Sequence, residues 1–100
     1  MPRFDGPALR RTYLDAGCVS DVLARRPELA GKKAAVNLAF DATGALLSAE
    51  PGVTGERDIT LARCVGRAAV VNRFGGGVTT YLDAGHVATF ELAVRLGLDP

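Results

Sequence analysis

The chain has no tryptophan, one methionine, one histidine and only six aromatic residues among its 100. Its core must therefore be assembled from alanine, valine and leucine, and it will be small. A chain of this length buries about 60–70% of its unfolded surface, so its stability margin is narrow and a covalent crosslink would matter. One domain accounts for the length. We expect it over residues 8–96, with short tails at 1–7 and 97–100.

An excess of charge and a long apolar run are also missing. The 12 basic and 11 acidic residues leave a net charge of +1, which gives no electrostatic basis for binding nucleic acid or an anionic membrane. No apolar run approaches the ~18 residues of a membrane span, so we expect no direct membrane insertion. Residues 1–7 have no signal-peptide pattern. If the protein works outside the cytoplasm, its targeting segment is absent from this chain.

Apolar residues recur at helical spacing in two segments. The first predicted helix runs from Pro7 to about Arg26, and its buried positions are Leu9, Tyr13, Leu14, Ala16, Cys18, Val22 and Leu23. Asp58 is placed to cap the second predicted helix, whose buried positions are Leu61, Cys64, Val65, Ala68 and Val71. We expect this helix to end before the glycine run 75–77, with Phe74 folding back onto the core.

Three segments alternate with the period of a β-strand. They are Lys33–Asp41, a return strand from Ala45 to about Val53 after a turn at 41–44, and His86–Leu96. The predicted core-facing residues are Ala34, Val36, Leu38 and Phe40 in the first strand and Ala88, Phe90, Leu92, Val94 and Leu96 in the third.

The element order α-β-β-α-β predicts an α+β domain. Its three-stranded antiparallel sheet would have both helices packed on one face and its other face open. The simplest crossover through the second helix lays the third strand beside the first. The second and third strands would then form the two edges of the sheet.

Cys18 and Cys64 each lie on the apolar face of a predicted helix. They are either a disulfide between the helices or two buried free thiols, because cysteine is among the most buried residue types.

Neither cysteine is typical of a catalytic or metal site. His86 with Cys64 or Asp83 could form a nucleophile–base set, but a catalytic thiolate needs an exposed, electropositive setting, and Cys64 lies on an apolar face. One histidine and two distant cysteines also lack the spacing of metal ligands. We therefore expect no enzyme, no cofactor and no metal.

Two further features have ordinary explanations. A phosphate-binding glycine loop precedes a helix, whereas the run 75–77 follows one, so we interpret it as a helix-to-strand connection. Arginines on the two predicted helices form either a partner surface or a solvated face. They are Arg10, Arg11, Arg25 and Arg26 on the first and Arg63, Arg67 and Arg73 on the second.

Several short motifs occur in an order and spacing that is similar to one known family. They are Cys18, Leu23, residues 26–32, residues 36–44, residues 61–65 and Phe74. The pattern spans residues 8–96. It resembles the periplasmic C-terminal domains of AgmX-type gliding-motility proteins and related lipoproteins of gliding bacteria, which are similar to the C-terminal domain of the TonB energy transducer. Cys18 and Cys64 match the two cysteines of the pattern, so the resemblance implies a disulfide between them.

The resemblance also implies a non-enzymatic, partner-binding domain of a periplasmic complex, of the motility or energy-transduction type. TonB-like domains engage extended peptides along a sheet edge, so we expect the third strand to accept a strand from another envelope protein. The predicted partner-binding residues are Val87, Thr89, Glu91, Ala93 and Arg95. The alternative is a structural domain of an envelope lipoprotein that dimerises through the same edge.

Overall fold

The computed structural model describes residues 6–78 and 86–97. Its elements, in chain order, are α1 (Gly6–Asp15), α2 (Cys18–Arg25), a 3₁₀ turn (Pro27–Leu29), β1 (Lys33–Asp41), β2 (Leu46–Gly55), α3 (Ile59–Val71), α4 (Phe74–Val78) and β3 (Val87–Arg95). The predicted α+β class and the antiparallel three-stranded sheet are confirmed. Residues 1–5, 79–85 and 98–100 lie outside the described residues, and with them the loop that we predicted through 83–85.

The sheet has the strand order β2-β1-β3, and both pairings are antiparallel. Within the described residues β2 and β3 are therefore the edges, as the crossover rule predicts. The register joins Val36 to Pro51 on one side and to Leu92 on the other. A bulge between Ala39 and Phe40 interrupts the β1–β2 ladder just before the hairpin turn.

The core lies between one face of the sheet and the helices. All four residues of β1 predicted to face the core are buried, and so are Val94 near the end of β3 and Leu96 just beyond it. Leu9, Tyr13, Cys18 and Val22 cover them from the first two helices, together with Val19, which the periodicity did not single out. Alternation therefore predicted the core face of β1 correctly, whereas in β3 Phe90 and Leu92 are only partly buried against the core and Ala88 is half-buried.

The first predicted helix is two helices, which corrects the expectation of one helix from Pro7 to about Arg26. Gly17 lies between them with φ of 79°, a left-handed conformation that glycine adopts without steric penalty. It stops α1 and redirects the chain, so that Cys18 becomes the first residue of α2. Ala16, predicted to be buried, is exposed at this break.

The buried face of α3 is made of smaller residues than predicted. Val71, an expected core residue, is 74% exposed, while Ala62 and Ala69 are fully buried. The reason is close packing on β2: a Cβ atom at Gly66 would lie 2.6 Å from the Cβ of Ala49. Alanine and glycine allow α3 to approach the sheet, and larger residues turn outward.

The glycine run is also different from the prediction. The chain forms the short helix α4 where we expected a loop, and it begins with Phe74, which is buried as predicted. The Phe74 ring meets Phe90 edge-on with ring centroids 5.3 Å apart. Gly75 packs against the Phe40 ring: a Cβ there would lie 2.7 Å from Cε1 of Phe40 and still closer to Cδ1. The missing side chain is what lets α4 sit on the hairpin.

We therefore predict that Gly75→Ala destabilises the domain by about 1–3 kcal/mol, the usual penalty for overpacking a core. Gly76→Ala is the matched control, because a Cβ at Gly76 would meet no atom within 4 Å. That variant should be neutral or stabilise by up to about 1 kcal/mol, the helix-propensity gain. Urea unfolding of the two variants measures the difference, and equal stabilities would contradict this account of the run.

A charged cluster joins the end of α2 to the start of α3. Asp58 caps α3 as predicted, because its Oδ1 accepts from the backbone N–H of Leu61 at 2.9 Å. Arg25 donates to both carboxylate oxygens of Asp58, at 3.1 and 3.2 Å. Burial alone would raise the pKa of Asp58, but the hydrogen bonds from Arg25 and Leu61 and the charges of Arg25 and Arg26 outweigh it, so the pKa lies below its ordinary 3.8.

Because the folded state lowers this pKa, ionised Asp58 stabilises the fold above about pH 3.8, and the contribution disappears as the pH falls through the lowered value. We expect Asp58→Ala to destabilise by about 1–2 kcal/mol at pH 7 through loss of the cap and the ion pairs. Asp58→Asn keeps the cap and should lose less. Its deficit relative to the wild type should shrink in unfolding curves below pH 3.8, and a deficit independent of pH would contradict the role of the charge.

Candidate functional site

Cys18 and Cys64 form a disulfide, as predicted, with a Cα–Cα distance of 5.6 Å. The alternative of two free thiols is therefore wrong. The bond joins the start of α2 to the middle of α3, and its Cys18 side is only 1% exposed. While the Cys64 sulfur is bonded it is not a thiolate. Asp83, the other candidate partner of His86, lies outside the described residues, and the expectation of no enzymatic activity stays a prediction.

Two other classes of site can be addressed from the described part of the chain. Across residues 6–78 and 86–97, no three side chains of His, Cys, Asp or Glu gather as they would around a metal ion. None of the helices within these ranges combines the length and the apolar character needed to cross a membrane.

The direction of the backbone groups in β3 follows from its last hydrogen bonds. Leu96 donates to the carbonyl of Lys32 at 2.8 Å, and its own carbonyl accepts from Gly31 at 2.9 Å. Leu96 therefore faces the β1 side. Because alternate residues of an antiparallel strand bond to opposite sides, the backbone groups of every second residue point away from β1. These residues are Val87, Thr89, Glu91, Ala93 and Arg95.

The five outward residues are the ones that the sequence predicted for partner binding. The structure brings them together along one edge, and among the described residues no strand lies beyond β3. All five side chains are exposed on the sheet face opposite the helices, and Val87 is 54% exposed. That a partner binds there stays a prediction.

Glu91 is held by its own sheet. Its carboxylate crosses the central strand and accepts a hydrogen bond from Oγ1 of Thr54 on β2 at 3.2 Å. Ala35, the β1 residue in its path, is only 5% exposed although it lies on the open face. The glutamate thus ties the two edge strands together across the centre of the sheet.

Arg10 of α1 covers one end of the β3 edge. Its guanidinium donates to the carbonyls of Arg95 at 3.2 Å and Gly97 at 2.9 Å, and to the hydroxyl of Tyr13 at 2.8 Å. An added strand would have to donate to the same carbonyls of Arg95 and Gly97, which Arg10 already occupies. The stretch of β3 left for pairing is therefore 87–93. Sequence reasoning missed this role, because the periodicity of α1 carries no signal for a contact 85 residues away.

The two edges differ in their capacity to accept a strand. Lys32 bonds to Leu96 at the end of β3, and alternate residues bond to the same side, so the backbone groups of Val36 point toward β3. Its partner on β2, Pro51, therefore directs its backbone groups away from the sheet. Proline has no N–H to donate, and it interrupts the outer row of β2. The stretch of β3 from 87 to 93 contains no proline. Of these two edges, β3 therefore offers the continuous row of donors and acceptors.

A groove of about 570 Å³ runs beside β3, between that strand and α1. Its helix wall includes Pro7, Arg10 and Arg11 with the buried Leu9 and Tyr13, and Leu92 and Ala93 line it from the strand. A strand added to β3 would direct every second side chain to the helix side of the sheet. The groove gives those side chains an apolar surface on which to pack.

Comparison of the chain with known protein families, with curated proteins and with solved structures finds no match. The likeness to the AgmX and TonB domains therefore rests on the sequence motifs alone.

The disulfide closes a segment of 46 residues that contains β1 and β2. On the chain-entropy estimate a crosslink of that span stabilises the fold by about 4 kcal/mol. We expect reduction to lower the free energy of unfolding by roughly this amount in urea titrations. The Cys18→Ser/Cys64→Ser double variant should match the reduced protein and should not respond to reductant. Uptake of two alkyl groups by denatured, unreduced protein would contradict the bond.

Proposed function

We propose that this domain is a non-enzymatic protein-interaction module of a cell-envelope complex, and that it binds a segment of its partner along β3. The observation that carries the proposal is the row of outward backbone groups from Val87 to Ala93. The disulfide supports an oxidising compartment, because such bonds persist mainly outside the cytoplasm. The periplasm, and a motility or energy-transduction complex, follow from the family resemblance.

The geometry defines what a partner segment should look like. Four outward residues bond to an added strand of about seven residues, which spans roughly 23 Å at about 3.3 Å per residue. Its side chains on the helix side should be apolar, because they meet the part of the groove lined by Pro7 and Leu92. The partner's side chains on the open face should be small or polar, because they lie beside Thr89 and Ala93 of β3.

A second copy of the chain is the other candidate partner, favoured by the self-complementarity of β3. An antiparallel pairing can place Val87 opposite Ala93 and Thr89 opposite Glu91 of the copy. No like charges then face each other. A shift of the register by two residues in one direction would place the two Glu91 residues opposite each other, which disfavours that register.

We expect a photoreactive residue at position 87, an outward residue of β3, to crosslink this domain to its partner in the native cell. The matched control is position 53, because Val53 is an exposed residue on the outer edge of β2. Thr89→Pro should abolish the crosslink without unfolding the domain, since the N–H that it removes points outward. Val53→Pro should leave the crosslink intact.

Equal crosslinking from both positions, or no effect of Thr89→Pro, would contradict binding along β3. Sedimentation over a range of concentrations separates the two candidate partners. A wild-type dimer that Thr89→Pro converts to a monomer would identify the partner as a second copy.

A further inference from the structure

A second groove lies on the other side of the molecule, between α3, β2 and the hairpin turn. It has two adjoining sections of about 560 and 530 Å³, which share Leu46 and Val70. We call it the arginine groove. Its apolar lining includes Leu46, Ala49 and Val70, and Val70 is among the large apolar residues that the fold leaves exposed. A short side chain would find an apolar surface to pack on here.

Three arginines line this groove along α3 and just beyond it. They are Arg63 and Arg67 in the first section and Arg73 in the second. Arg63 and Arg67 are the only charged residues within α3, so the helix carries positive charge only. Arg63 and Arg67 are four residues apart, a spacing at which like charges repel. Such a pair gains stability when a carboxylate lies between the two guanidinium groups.

The described residues supply no such carboxylate. Within 6–78 and 86–97, the guanidinium groups of these three arginines make neither an ion pair nor a hydrogen bond, and Glu50, which also lines the groove, pairs with none of them. Arg25 and Arg26, by contrast, are both bonded to Asp58. The cations beside the groove are therefore available to a ligand.

Arg73 occupies a backbone position that suits glycine. It follows the C-cap Asn72 with φ of 54°, and it is the one non-glycine residue with positive φ among the described residues. Side chains with a Cβ adopt this conformation at a cost, and glycine or asparagine is the usual residue there. A strained arginine at the end of a groove with two other unpaired arginines is the pattern expected when the side chain is used in binding.

From these observations we infer that the arginine groove binds an acidic segment of another protein, in which carboxylates alternate with apolar side chains. The apolar side chains pack on Leu46, Ala49 and Val70, and the carboxylates pair with the three arginines. Arg63 and Arg73 are ten residues apart, about 15 Å along a helix axis, so the carboxylates must be spread over a similar length. Apolar residues between the arginines favour a ligand that alternates charge with apolar side chains, as a polypeptide can, over a uniformly charged lipid surface. The site does not depend on β3.

The inference can be tested with a fluorescein-labelled octapeptide of alternating glutamate and leucine, followed by anisotropy at low salt. We expect saturable binding that weakens at least tenfold when glutamine replaces glutamate or when the peptide is glutamate throughout. No binding up to millimolar protein, or equal binding of the all-glutamate peptide, would overturn it. Amide shifts in the NMR spectrum should cluster in 46–50 and 63–73, and shifts confined to 87–93 would overturn the location.

Charge variants locate the contact. Arg63→Gln/Arg67→Gln should weaken binding at least tenfold. Arg11→Gln/Arg57→Gln removes the same net charge from exposed positions outside the groove and should change affinity less than twofold. Equal losses would mean non-specific attraction and would overturn the inference. So would binding to phosphatidylglycerol vesicles that depends on Arg63 and Arg67 when the peptide does not bind.

The variant Arg73→Gly distinguishes a role of Arg73 in binding from a role in folding, because we expect stability and peptide affinity to change in opposite directions. Glycine relieves the positive φ, so the melting temperature should rise by a few degrees, while affinity for the peptide should fall at least threefold. An unchanged affinity would remove Arg73 from the site. Loss of both stability and affinity would show that the arginine is structural and would overturn its assigned role.

Discussion

The Cys18–Cys64 bond joins the two parts of the helical layer, and that layer depends on it because the apolar core is so small. Ten of the nineteen buried apolar residues are alanine or valine and five are leucine, and α3 meets the sheet through alanine and glycine. Such residues bury little area each, so burial alone holds α3 weakly. A bond from the start of α2 to the middle of α3 fixes the helices against each other. The Arg25–Asp58 pair adds a second tie at the far end of α2.

Small residues also explain why the helices come so close to the sheet. At Gly66 and Gly75 the backbone of a helix lies directly against Ala49 or the Phe40 ring. These contacts have no room for a methyl group. They stabilise the fold through close packing and bury little apolar area. The exposed valines at 70 and 71 are a consequence of the same packing. Once the alanine face of α3 turns inward, the larger side chains of the helix end face solvent.

Features that depend on local periodicity were predictable. The alternation in β1 and β3, the sheet order and the Asp58 cap each follow from residues close in sequence or from the shortest connection. The break at Gly17 was not found, because the apolar rows continue across it and the left-handed turn depends on a single residue. The helix at Phe74–Val78 was missed since three glycines oppose a helix on propensity alone. Tertiary contact with Phe40 overrides that preference.

The predicted edge residues illustrate a different limit. Period-two alternation correctly assigns Val87, Thr89, Glu91, Ala93 and Arg95 to one face, but it does not contain the contacts that decide their availability. Arg10 reaches Arg95 from a helix 85 residues earlier, and Glu91 reaches Thr54 across the central strand. Both contacts depend on the packing of whole elements. They reduce the useful edge to a shorter stretch than the sequence pattern indicates.

The two candidate surfaces have different physical characters, and the sheet accounts for the difference. The β3 edge offers backbone groups, which recognise the extended shape of a chain with little regard for its sequence. The arginine groove offers side-chain charge beside an apolar floor, which recognises composition. Pro51 interrupts the outer row of backbone groups on β2, so a ligand there depends mainly on side chains. Because β1 separates the two edges, the ligands proposed for the two surfaces would not block each other. Under both proposals the domain would connect two partners, and the disulfide would keep α3 in place while both are bound.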